Sequence, residues 1–118
     1  MSLIEWGLFI SIMIQLESSG DDHAYGKNDE YGCLQITQGV IDDVNRIYKW
    51  ESDDPEYRWI HEAYYRKKAV EICKLYLNYW GQKYKREAEA LGQSTFETYA
   101  RIWNGGPRGY MKESTEVY

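Results

Sequence analysis

The chain is poor in the residues that staple small folds or hold metals, with two cysteines, two histidines and two prolines among 118 residues. Cys33 and Cys73 are far apart and no CxxC pair occurs, so a zinc site has almost no ligands to draw on. A disulfide framework is not required either. At this length folding buries somewhat under ~70% of the surface that the unfolded chain exposes, which is enough for one core. Buried free thiols and a single disulfide both fit the pair, since free cysteine packs like a small hydrophobe. Neither cysteine reads as a nucleophile, because the sequence around His23 and His61 marks neither as its base.

Positive charge is also short. Lys and Arg number 14 against 19 Asp and Glu, and the formal net charge of -5 counts against nucleic acid or an anionic membrane surface as a partner. No uninterrupted apolar run reaches the roughly 18 residues that a membrane span needs. The segment from Leu3 to Leu16 resembles a signal peptide in its hydrophobicity, but it lacks a basic leading region and contains Glu5, which makes it a core helix. Strand-like alternation is nearly absent, and there are no internal repeats or low-complexity linkers. Together these point to one mainly α-helical domain over residues 1–118. Phe is scarce too: two stand against twelve Tyr and five Trp, so most rings carry a polar handle. That mix suits a groove both apolar and wet, or a tyrosine-rich rim of the core.

The apolar residues that are present follow helical spacing. From Ile4 to Leu16 they fall on every face, which predicts a buried central helix ending at Glu17-Ser18-Ser19-Gly20, with Gly20 as its stop and Glu17 in the last turn. Asp21 to Tyr31 is polar and turn-rich, a loop or short irregular hairpin. A second helix is expected from Leu34 or Thr37 to Tyr48. Asp54-Pro55 reads as the start of a long amphipathic helix carrying Trp59, Ala63, Val70, Cys73, Leu77, Trp80 and Tyr84, with Gly81 and Gly92 as its breaks. Ser94 to Glu97 has the capping-box pattern and opens a helix to about Trp103, which Asn104-Gly105-Gly106-Pro107 ends. Ser114-Thr115 opens a last short one.

A carboxylic acid at the end of a buried apolar helix is partly desolvated, which disfavours its charged form and moves its pKa toward the working range of a general acid. Glu17 is that residue. Around it the sequence is similar to a known family at three separated places. Glu17-Ser18, Ala24 and Gly32-Cys33-Leu34-Gln35-Ile36 resemble the ES…A…GLMQ pattern of soluble lytic transglycosylases and the related goose-type lysozymes, with the same spacing from Glu17 to Gln35 as in the transglycosylases. Ala100 to Pro107 resembles the family's ALAAYNAGP segment, with Asn104 on the family Asn and Trp103 in place of its Tyr. The terminal Thr115 to Tyr118 resembles the ETRxYV tail, with Tyr118 on its Tyr. Two departures stand out: Cys33 replaces a Leu, and the indole of Trp103 donates a hydrogen bond but accepts none.

The resemblance implies a lysozyme-like helical domain with a glycan-binding cleft, working without cofactor or metal as a monomer on peptidoglycan strands. Glu17 would protonate the leaving oxygen of the MurNAc–GlcNAc β-1,4 bond, with the substrate N-acetyl group supporting the cation. The same Glu would then assist attack by the muramyl 6-hydroxyl, giving a 1,6-anhydro product. Gln35 and Asn104 would contact sugar acetamido and hydroxyl groups, or cap local backbone. Ser18 would hold the Glu17 side chain or cap the helix end. Tyr31, Trp103 and Tyr118 would line the glycan groove, or pack in the core. A muramidase would instead need a second carboxylate, and Asp21, Asp22, Asp29 and Glu30 are the acids within reach in sequence. An inactive glycan-binding module, or a helical interaction domain, are the other readings. The place of action is the cell envelope, reached through an export signal outside this chain or by delivery in a phage particle.

Overall fold

Two local signals set the ends of helix α1 (Leu3–Ser18) in the computed structural model, which describes residues 1–116. At its start the Ser2 hydroxyl accepts from the Glu5 amide at 3.1 Å while the Glu5 carboxylate accepts from the Ser2 amide at 2.9 Å, a reciprocal cap. At its end Ser19 and Gly20 both turn left-handed, at φ 54° and 88°. The helix is not buried on every face. Trp6, Phe9, Ile10, Met13 and Ile14 are buried, while Leu3, Ile4, Leu8, Ile12 and Leu16 are 41% to 86% exposed. A helix apolar all round needs neighbours on all sides to vanish from water, and here they cover one side.

The chain folds as two compact units. One comprises Gly7–Tyr76, the other Met1–Trp6 with the chain from Leu77 onward. In the first, α1 leads into a minimal antiparallel hairpin, β1 (Tyr25–Gly26) paired with β2 (Glu30–Tyr31). Helix α2 (Gln38–Ile47) starts at the later of its two expected positions, with the Thr37 hydroxyl accepting from the Val40 amide, and buries Ile41, Val44 and Asn45. A 3-10 helix (Ile60–Tyr64) then precedes α3 (Arg66–Lys83). The core of this unit gathers Phe9, Met13, Leu34, Ile36, Ile41, Val44, Ile72 and the two cysteines.

The helix expected from Asp54-Pro55 does not form there; α3 begins at Arg66. Asp54 closes only a turn, its carboxylate accepting from the Glu56 amide at 2.7 Å. Next, the buried Asn45 side chain takes both backbone groups of Arg58, donating to its carbonyl at 2.9 Å and accepting from its amide at 2.8 Å. A backbone paired to a side chain cannot also join a helical ladder. Trp59 is accordingly extended and exposed rather than on a core stripe.

In the second unit α3 runs through Gly81 without a break. A Cβ at Gly81 would lie 2.2 Å from the Tyr99 ring, so glycine here makes room for an aromatic side chain. Helix α4 (Lys85–Ala90) follows and ends before Gly92, at φ 79°. Helix α5 (Thr95–Gly105) opens on Ser94 as its sequence requires, the Ser94 hydroxyl accepting from the Glu97 amide at 3.1 Å. Short 3-10 turns at Gly109–Met111 and Glu113–Thr115 close the described chain. Among the described residues no helix is long and apolar enough to cross a membrane.

Candidate active site

Glu17 sits where the apolar helix α1 gives way to the polar hairpin, half-buried in the last turn. The turn beyond it is held from a distance. Arg66, at the start of α3, donates to the Gly20 carbonyl at 2.8 Å and to the Asp22 carboxylate at 2.7 Å. Nothing near Glu17 in sequence points to Arg66, which makes it the site residue that sequence reasoning missed. The Ser18 hydroxyl donates to the Ile14 carbonyl at 3.1 Å, so it serves the helix end.

The Gly32–Ile36 segment is built as a tight turn. Gly32 has φ 78°, and a Cβ there would fall 1.9 Å from the Ala63 carbonyl oxygen. Cys33, Leu34 and Ile36 are fully buried. Gln35 takes the left-handed region at φ 53°, and its side-chain amide donates to the Gly32 carbonyl at 3.0 Å while its carbonyl end lies over Gly26. Much of what this motif encodes is therefore the turn itself. Tyr31 is half-buried and meets Tyr25 and Tyr64 edge-on, at 5.1 and 5.7 Å between ring centroids.

Three of the four loop acids hold a partner. Asp21 accepts from the His23 amide at 2.9 Å, Asp22 pairs with Arg66, and Asp29 accepts from the Tyr25 hydroxyl. Glu30 lies against Gly26. The bond to Asp29 pushes the Tyr25 phenol up to about 12, while the Arg66 guanidinium holds the Asp22 carboxyl below its ordinary value. A depressed folded value means that the Asp22 contribution is present above the unfolded carboxylate range and lost as pH falls through the folded one. The stability difference between wild type and Asp22→Asn should thus be constant above the ordinary carboxylate range and shrink as pH falls through the depressed folded value. Urea midpoints of both proteins across that range check this, and a gap that persists in acid would show that the charge is not its source.

Both thiols are free and buried. Burial pushes Cys33 up to about 11 and Cys73 well above its ordinary value, and the nearby charge of Glu17 adds to the second shift. Glu17 therefore lies within electrostatic range of a buried sulfur. Ellman's reagent should find no reactive thiol in the native protein at mildly alkaline pH and both thiols after unfolding without reductant. Loss of both in the unfolded chain would establish a disulfide.

Of the sequence-derived site residues, Glu17, Ser18, Tyr31 and Gln35 share the first unit. Trp103 and Asn104 belong to the second, Trp103 buried and Asn104 exposed at the end of α5. Tyr118 lies outside the described residues. The segment before Asn104 is anchored by the buried Arg101, which donates to the Thr115 hydroxyl at 2.9 Å, the Lys112 carbonyl at 2.8 Å and Glu97 at 3.2 Å. Gly109 passes so close to this helix that a Cβ would lie 2.1 Å from the Arg101 carbonyl oxygen. Among the described residues no cluster of three or more His, Cys, Asp or Glu could hold a metal ion. Compared with known protein families, with curated proteins and with solved structures, the chain matches none.

Proposed function

We propose that this chain is a peptidoglycan-cleaving lytic transglycosylase acting on the MurNAc–GlcNAc β-1,4 bond, with Glu17 as its single catalytic acid and base. The observation that carries the reading is the setting of Glu17, half-buried at the junction of an apolar helix and a polar hairpin, in the sequence motif that resembles the family's. A general acid needs a carboxyl partly withdrawn from water yet open to substrate on one side.

In this scheme Glu17 gives its proton to the leaving glycosidic oxygen and then accepts the proton of the muramyl 6-hydroxyl as that oxygen closes on the anomeric carbon. The half-buried ring of Tyr31 offers an apolar face beside the hairpin for a sugar. A second carboxylate is not required, which fits loop acids already committed to a turn, an ion pair and a tyrosine. Mass analysis of soluble products from purified sacculi tests the proposal. Anhydro-muramyl ends are expected. Reducing ends alone would hand the case to a muramidase, and no release at all to a glycan-binding module.

A further inference from the structure

Beside the hairpin the first unit holds an open pocket of about 700 Å³, lined by Asp22, His23, His61, Tyr64, Tyr65, Arg66 and Lys67. Arg66 and Asp22 brace the turn beyond Glu17, and none of the lining residues takes a step in the proposed cleavage. The volume falls within the usual range for small-ligand sites, ~300–1,000 Å³. Its ring wall is preset: His23 stacks on Tyr64 at 6.2 Å and 24°, and Tyr64 is braced edge-on by Tyr31. The 3-10 helix that carries Tyr64 is wedged against Gly32, and Arg66 is tied to Gly20 and Asp22. A wall held this way loses little freedom when a ligand arrives.

The charge of the pocket runs against that of the protein. Arg66 and Asp22 neutralise one another, whereas Lys67 has no ion pair among the described residues. One unspent ammonium and two imidazoles thus face a concave surface made largely of ring carbon, on a chain of formal net charge -5. A polyanion would be repelled by the rest of the surface, and a neutral sugar would leave the ammonium unanswered. We infer that the pocket binds a short acidic peptide, its carboxylate on Lys67 and its apolar part against Tyr64 and Tyr65. The site does not depend on the chemistry of Glu17.

NMR titration of the full chain tests this with Ac-Ala-Glu-NH2, Ac-Ala-Gln-NH2, acetate and inorganic phosphate as probes. The Glu peptide should shift the signals of Tyr64 and Tyr65 and bind about tenfold tighter than the Gln peptide, the usual worth of one charge-assisted hydrogen bond. Lys67→Glu should remove that tenfold preference, and Tyr65→Ser should weaken both peptides by severalfold; both side chains are exposed, so the fold should hold. Glu17→Gln should bind as wild type does, which separates this pocket from the cleavage reading. Equal binding of the two peptides, no effect of Lys67→Glu, competition by acetate or phosphate as strong as the peptide, or no saturation by the Glu peptide would each overturn the inference.

Discussion

Glu17→Gln is expected to lower muropeptide release from sacculi by at least ~10²–10⁴-fold while leaving the unfolding transition nearly unchanged. Glutamine keeps the volume and much of the hydrogen-bonding shape of the acid, but in the proposed scheme it could neither deliver a proton to the leaving oxygen nor take one from the 6-hydroxyl. Losing both roles in one substitution places the effect toward the upper end of that range. The comparison that gives the result meaning is with Asp21→Asn, Asp22→Asn, Asp29→Asn and Glu30→Gln. Three of these acids already hold a partner and the fourth lies against Gly26, so each change should cost little activity. Turbidity loss and anhydro-muropeptide release, measured side by side, decide it. Near wild-type activity without Glu17 would remove it from catalysis, and collapse in one loop variant would name the missing second carboxylate.

Gly32→Ala should be the most damaging small substitution in the first unit. Two costs combine at this position. Alanine in the left-handed region pays about 1–2 kcal/mol, and its Cβ would stand 1.9 Å from the Ala63 carbonyl oxygen. That oxygen is main chain in a packed 3-10 turn, with Ala63 itself fully buried, so it cannot swing aside as a side chain could. A loss on the order of 4 kcal/mol or more is expected, near the limit for single changes and a large part of a small domain's stability. Gly20→Ala is the control, since Gly20 has φ 88° but nothing within 4 Å of the added carbon. It should cost only the conformational part, about 1–2 kcal/mol. Urea unfolding of both variants separates the two contributions. Equal losses would mean that the approach of Ala63 contributes nothing.

Where the sequence was legible, the cause lay within a few residues. Ser94 and Glu97 sit three apart and cap α5 through one hydrogen bond, and Ser2 and Glu5 carry the same pattern at α1, a signal open to reading that the hydrophobic run overshadowed. Glu17 in the last turn, the short hairpin after it and the start of α2 at Thr37 follow from equally local rules. The candidate acid is legible in the sequence because helix end, apolar run and motif coincide there.

Helical class, the Ser94 cap of α5 and the position of Glu17 were thus determined by the sequence alone, because propensity, capping and turn chemistry act along the chain. The tertiary structure decided which side of α1 faces water, since an all-apolar helix carries no mark of where its neighbours will stop. It decided that Asn45 cancels the helix start at Asp54-Pro55 by pairing with Arg58 thirteen residues away, and that Gly81 admits the Tyr99 ring instead of breaking α3. It alone brought Arg66 to the turn after Glu17, across a separation of 44 and 46 positions from its two partners. Contacts of that span depend on how packed elements meet, and neither periodicity nor a local motif records them.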